Sequence, residues 1–238
     1  MKRIVPAAIA ALSLTACALT STTTGTPTPE PTFDEVYAAA VGAYGDAIFE
    51  NAGASATPVA NMPKSASATY SGYSSIILSK AGPTSALIDI LVGRSTLTAN
   101  FTSTGGTVAG TASDFTYVND LSQAEFDART TAASAAYATA TTREDMVEVG
   151  RLLFDSEGKA NGSIDVTNGQ ITGNTLTADV AGTVEHGGYS TSINGAATGS
   201  FAGPTGGIIR IIESDASSFE QGGIGFLGAE FLMDTTRD

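Results

Sequence analysis

From Thr69 onward, apolar and polar residues alternate at period two in one run after another, the pattern of strands with one face turned to a core. The longest run starts at Tyr189. Tyr189, Thr191, Ile193, Gly195, Ala197, Gly199 and Phe201 fall on one face, against Ser190, Ser192, Asn194, Ala196, Thr198 and Ser200 on the other, in a stretch that continues to Gly207. Before it, Thr175 to Glu185 sets Leu176, Ala178, Val180, Gly182 and Val184 against Thr175, Thr177, Asp179, Thr183 and Glu185. His186-Gly187-Gly188 predicts the turn between these two strands, with His186 an exposed turn residue. Asn168-Gly169 predicts a hairpin after Gly162, Ile164 and Val166, because both residues tolerate the positive φ of a tight turn.

Nearer the start of this region, Tyr70 to Leu78 and Ala86 to Val92 form two more runs. In the second, Ile88, Ile90 and Val92 are set on one side and Asp89 on the other. Gly93-Arg94 separates it from Leu97 to Thr102, and Ser103-Thr104-Gly105-Gly106 turns the chain into Thr107 to Phe115. Ile208 to Ile212 and Ile224 to Met233 supply two last strands, with Ser214 to Gly223 a loop between them. The count is about eight to ten antiparallel strands joined mainly by hairpins. Such an array removes its edges by closing, which predicts an all-β fold: an antiparallel soluble β-barrel of about eight strands with an apolar filling. A membrane barrel does not fit, because the outward faces are Ser, Thr and Asn and no aromatic girdle is present.

The alternation fails in two places. Thr32 to Glu35 has the form of a capping box, and Phe33, Val36, Tyr37, Ala40, Val41, Tyr44 and Ile48 then recur at steps of three and four, predicting a short N-terminal amphipathic helix. Gly42 and Gly45 each weaken it by about 1 kcal/mol relative to Ala, so docking must stabilise it, on the domain surface or across an opening. Asn51 to Ala68, with Pro58 and Pro63, reads as a linker. The second break runs from Asn119 to Gly150: Ser122 to Glu125 again suggests a capping box, Ala124 to Tyr137 is alanine-rich and reads as a short helix, and Arg143, Glu144 and Asp145 read as a solvated loop or face. An insertion of this length is the candidate ligand-contacting segment.

The first sixteen residues change the picture from an intracellular domain to an exported one. Lys2 and Arg3 precede an apolar run from Ile4 to Leu14 that is too short to span a bilayer, the pattern of a signal peptide. Cys17 is the one cysteine, and Leu14-Thr15-Ala16-Cys17 resembles the lipobox of bacterial lipoproteins, which implies cleavage between Ala16 and Cys17 and acylation of Cys17. By that resemblance, Ala18 in place of Asp favours outer-membrane delivery. The Thr- and Pro-rich stretch 17–32 then reads as a tether, so the organisation expected is 1–16 signal peptide, 17–32 tether, 33–68 helix and linker, and 69–238 barrel with its insertion.

With 24 acidic against 11 basic residues and a formal charge of −13, the chain lacks the cationic surface a nucleic acid needs. Membrane attachment is expected through the N-terminal lipid alone. Catalytic parts are sparse: His186 is the single histidine, which leaves zinc sites and nucleophilic triads incomplete, so no enzyme activity and no cofactor are expected. Asp114, Asp120, Asp127, Asp145 and Asp155 are candidate calcium ligands, yet no DxDxDG loop holds them and no metal site is expected.

Ala68-Thr69-Tyr70-Ser71-Gly72, the strand-turn-strand from Leu97 to Phe115, and Gly199-Ser200-Phe201-Ala202-Gly203-Pro204 together resemble the barrel domains of transferrin-binding protein B and its relatives among Gram-negative surface lipoproteins. The resemblance spans roughly Thr69 to Met233. It implies an eight-stranded soluble barrel, lipid-anchored at the cell surface of the outer membrane, that presents loops to an extracellular protein or small solute. This chain has room for one barrel where that family has two lobes, and no ligand contact carries over, since those lie in variable loops. A binding module and a structural envelope lipoprotein with an empty-handed barrel remain the two readings.

Overall fold

The computed structural model describes residues 30–83, 85–224 and 226–238. Its elements are α1 (Phe33–Asn51), β1 (Ser67–Ala81), β2 (Ala86–Thr102), β3 (Gly105–Ser122), α2 (Gln123–Tyr137), α3 (Arg143–Phe154), β4 (Gly158–Lys159), β5 (Asn161–Thr172), β6 (Thr175–His186), β7 (Tyr189–Ala202), β8 (Ile208–Glu213), β9 (Phe219–Gln221) and β10 (Phe226–Arg237). The sheet order is β2-β1-β10-β8-β7-β6-β5-β3, and β3 pairs back to β2. Eight antiparallel strands therefore close into a barrel in which each wall strand lies beside its neighbour in sequence. β4 extends the line of β5 along β3, and β9 extends the line of β8 along β7.

The barrel wall follows the period-two pattern. On β7, Thr191, Ile193, Ala197 and Phe201 are buried, as are Leu176, Ala178, Val180 and Val184 on β6. These side chains meet Tyr70, Leu97, Phe115, Ile164 and Phe231 in a core that fills the barrel. At one end of the barrel the rings of Phe201 and Phe101 lie 5.7 Å apart, and Tyr70 meets Phe201 edge-on at 6.4 Å. The segment 52–66, expected as a linker, closes this end. Its Thr57 N–H donates to Phe201 O at 3.0 Å, Gly203 N–H donates to Ser55 O at 2.9 Å, and Met62 is buried beneath it.

Three turn expectations are corrected. Asn168-Gly169 is no hairpin: β5 runs through it, with Asn168 at φ 53° and a register shift between Thr167 and Gln170. The turn lies five residues later, at Gly173-Asn174, where Thr172 pairs with Thr175. A positive-φ Asn serves a bulge as well as a turn. A Cβ at Gly169 would sit 2.2 Å from Val108 O, so the wall closes against β3 only with glycine there. Gly169→Ala is expected to cost about 1–3 kcal/mol, read as a lower denaturant midpoint. Gly93-Arg94 is likewise no break, since β2 passes through it with a bulge between Val92 and Arg94. Between β8 and β10 the expected loop contains a 3₁₀ turn, Ala216–Ser218, and β9.

The meander of β1 to β3 is not half buried throughout. Ile88, Ile90 and Val92 point out of the barrel, where Tyr73, Val118 and Leu121 join them under Ala40, Val41 and Ala47 of α1 and Phe154 of α3. The continuous apolar run Leu87 to Val92, broken by Asp89 alone, is the sequence signature of a strand covered on both faces. The helices form a second layer on this outer face. α1 has the capping box expected at Thr32 and Glu35, and its Asn51 side chain bonds the buried Asp234, which Arg210 also engages.

Candidate functional site: the helical layer and the buried polar end of the barrel

The insertion 119–150 is an ordered piece of the helical layer. β3 reaches Ser122, whose side chain and Glu125 form the capping box of α2. Arg143, Glu144 and Asp145 are exposed, the solvated face that was expected, and they open α3 rather than a loop, with Thr142 and Asp145 as a further capping box that sequence reading missed. The signal was there: Met146, Val149, Gly150 and Phe154 recur at helical spacing and are the buried residues of α3. α3 crosses α1 closely because Gly45 and Gly150 carry no side chains. A Cβ on Gly45 would lie 2.6 Å from Val147, and one on Gly150 would lie 2.8 Å from the Tyr44 ring. Tyr44 is wedged there, edge-on to Tyr73 at 4.9 Å and to Phe154 at 5.1 Å. Burial pushes its hydroxyl pKa up. Arg143 pairs with Asp46, tying α3 to α1, and Arg129 donates to Phe154 O at 3.1 Å, tying α2 to the end of α3.

α2 is docked less firmly. Of its fifteen residues only Ala133 is buried. Between α1, α2 and α3 lies a cleft of about 250 Å³ lined by Tyr44, Thr130, Ala133, Ser134, Tyr137, Val149 and Leu153.

At the barrel end remote from Phe201, the filling changes from apolar to polar. Lys80, Asp89, His186, Thr191 and Gln221 are all buried there. Each continues the inward parity of its strand: Lys80 follows Ile76 and Leu78, Asp89 precedes Leu91, His186 follows Val180 and Val184, and Thr191 precedes Ile193. His186 is thus no exposed turn residue. Gly187-Gly188 makes the turn, and the ring points back into the barrel. Asp89 is inside, while the isoleucines set opposite it face the helices. The expected apolar filling is corrected by this cluster.

Its hydrogen bonds fix the roles of the groups. Asp89 accepts from Lys80 Nζ at 2.8 Å and Gln221 Nε2 at 3.0 Å on one oxygen, and from the Asp120 backbone N–H at 2.8 Å on the other. Lys80 also meets the Asp120 carboxylate at 2.8 Å and lies 4.2 Å from the centre of the Tyr189 ring. Burial disfavours the Lys80 charge, but the bonds and the attraction of Asp120 and Asp89 outweigh it and leave its pKa raised. Asp120 is desolvated too, yet Lys80 and the Tyr189 hydroxyl hold its carboxyl below the usual range. The His186 Nδ1–H donates to Asn119 Oδ1 at 2.9 Å, and Nε2 accepts from the Thr191 hydroxyl at 2.8 Å. Thr191 in turn accepts from Gln221 Nε2 at 3.1 Å. Among the described residues, Gln221 Oε1 is left over as a buried acceptor.

Thr191, His186 and Asn119 thus follow one another as hydroxyl, imidazole and orienting amide. The hydroxyl is wholly buried among the barrel side chains, so the chain acts here as a structural clamp between β3, β6, β7 and β9. Burial, the larger influence, lowers the His186 pKa; Asp89, Glu185 and Asp120 oppose it, and Lys80 adds to it. The unfolded chain therefore takes up this proton before the folded one. The stability held by neutral His186 is complete above about pH 6.5 and falls as the pH drops below that value. His186→Gln is expected to flatten that part of a stability-against-pH curve, measured by denaturant unfolding.

The five aspartates that sequence reading grouped are dispersed. Asp114 pairs with Arg94 at 3.4 Å, Asp120 with Lys80 and Asp155 with Arg129 at 3.4 Å, Asp127 accepts from Gln123 at 2.9 Å, and Asp145 caps α3. Among the described residues no group of three or more His, Cys, Asp or Glu side chains is placed to hold a metal ion. Ala16 and Cys17 lie outside the described residues.

No protein-family model and no curated protein sequence matches the chain. Among solved structures it is similar to a double mutant of the vaccine antigen transferrin-binding protein B from Haemophilus parasuis Hp5, with 13% identity, a TM-score of 0.40, and coverage of 76% of this chain and 28% of that one. It is similar also to an intact transferrin-binding protein B with N and C lobes, with 13% identity, a TM-score of 0.38, and coverage of 77% and 29%. The chain spans less than a third of the length of those proteins. The closed, antiparallel eight-stranded barrel is read from the strand pairing of this chain.

Proposed function

We propose that the protein is a lipid-anchored binding module of a Gram-negative outer-membrane surface, with the barrel as scaffold and recognition on its exterior. The observation that carries the reading is the filling of the barrel. Side chains occupy it from the Phe201 end, under the segment 52–66, to the Lys80–Asp89 end, so an extracellular protein or solute is met by the outside of the molecule. The helical layer gives that outside one distinctive face, built in large part by the insertion 119–150. The lipobox resemblance at Cys17 supports the anchor, and the Thr- and Pro-rich stretch 17–32 supports presentation clear of the membrane.

The same filling favours one second reading, a structural envelope lipoprotein without a ligand. A thermal-shift panel of iron carriers, haem proteins and small solutes separates the two; a shift with one of them supports binding, and none across the panel supports the structural role. Metabolic labelling with a palmitate analogue checks the anchor. Label is expected in the wild type and lost in Cys17→Ala, whereas label that persists in the variant refutes the assignment.

A further inference from the structure

We propose that the cleft between α1, α2 and α3 is a binding site for a small molecule with a single apolar ring and one hydrogen-bonding group, an inference that rests on the reading of the protein as a binding module. Size sets the class of ligand. At about 250 Å³ the cleft lies below the roughly 300–1,000 Å³ of pockets for drug-sized ligands, and a helix about 10 Å across does not enter it. Its floor is the Tyr44 ring, held from behind by Tyr73, Phe154 and the glycine at 150. Val149 and Leu153 of α3 and Ala133 of α2 make apolar walls.

The polar groups of the lining are the hydroxyls of Tyr44, Thr130, Ser134 and Tyr137. Tyr137 is 46% exposed, and it and Tyr44 both line the cleft. Neither hydroxyl has a protein partner among the described residues. One ring on the floor with one polar group toward these oxygens satisfies both parts of the lining.

The wall that must adjust is the one least committed. α2 is an alanine-rich helix of fifteen residues with one buried side chain. A helix of that length is marginal in water without tertiary contacts. It is pinned at its start by the Ser122–Glu125 box and midway by Arg129. A ligand in the cleft adds apolar contact to α2 that the protein alone does not supply.

Indole is a direct probe, because the chain has no tryptophan and excitation on the red side of tyrosine absorption leaves its seven tyrosines dark. Titrated with the full chain, indole is expected to show a saturable blue shift and to slow amide exchange in α2 relative to the barrel strands. Ser134→Phe places a ring into the cleft from an exposed position and is expected to weaken binding at least tenfold with an unchanged unfolding midpoint. Tyr44→Phe keeps the floor but removes one acceptor for the indole N–H, and a loss of roughly fivefold is expected. No saturable shift, or a shift that neither variant alters, overturns the proposal. None of these readouts depends on Cys17 or on cell-surface exposure. Failure of the palmitate test thus removes the anchor and leaves the cleft, and failure with indole removes the cleft and leaves the anchored module.

Discussion

Phe201→Ala is expected to lower the unfolding free energy by about 3–5 kcal/mol, a large share of the roughly 5–15 kcal/mol that holds a domain together. Phe201 is wholly buried, its ring touches those of Tyr70 and Phe101, and its backbone receives Thr57 and donates to Asn174 O at 2.9 Å. Truncation leaves a cavity under the segment 52–66 that these neighbours cannot collapse into, since their backbones are fixed by strand pairing. Denaturant unfolding gives the value. A loss below about 1 kcal/mol would mean that the apolar end is loosely packed and that the segment above it follows the side chain inward.

Asp89→Ala is expected to have an effect of similar size for a different reason. Removing the carboxylate leaves the buried Lys80 with only the rim partner Asp120, and strips the acceptor from Gln221 and from the Asp120 N–H. Breaking a buried ion pair at one partner costs about 3–5 kcal/mol, because the other charge stays desolvated. The companion variant Asp120→Asn is expected to cost well under half as much, since its side chain is 45% exposed and water screens the loss. Equal losses for the two variants, again by denaturant unfolding, would show that Asp120 matters to the lysine as much as Asp89 does.

How much of this was legible in the sequence depended on which physical rule governed each position. Side-chain parity along β6 and β7 holds without interruption, so their inward faces were read residue by residue. The same parity reaches His186, but its place beside two glycines suggested exposure. Turn position describes the backbone, and it was the strand that aimed the ring. At Asp89 parity separated the carboxylate from Ile88, Ile90 and Val92 but did not say which side faces the barrel, because the strand is covered on both faces. The charge is tolerated inside because Lys80 is brought beside it by the β1–β2 hairpin, in which Leu78 pairs with Asp89. Asn168-Gly169 failed because a bulge and a turn ask the same φ of the chain. Within the candidate site, the capping boxes of α1 and α2 were visible in order, whereas the cleft was not. It depends on Gly45 and Gly150 meeting Val147 and Tyr44 across about a hundred residues of intervening chain, a distance over which periodicity carries no information.

The closing of the barrel also sets an order of events in time. Most wall ladders join neighbours in sequence and form by local hairpins, but β1 meets β10 across 165 residues at Ser71 and Thr236. That ladder cannot form until the last strand has been delivered, and loop-closure entropy makes it the slowest pairing to nucleate. Until then β1 presents a fifteen-residue unpaired edge carrying Ile76, Ile77 and Leu78. The folding chain is therefore most open to aggregation in the interval before β10 arrives, and most open at β1.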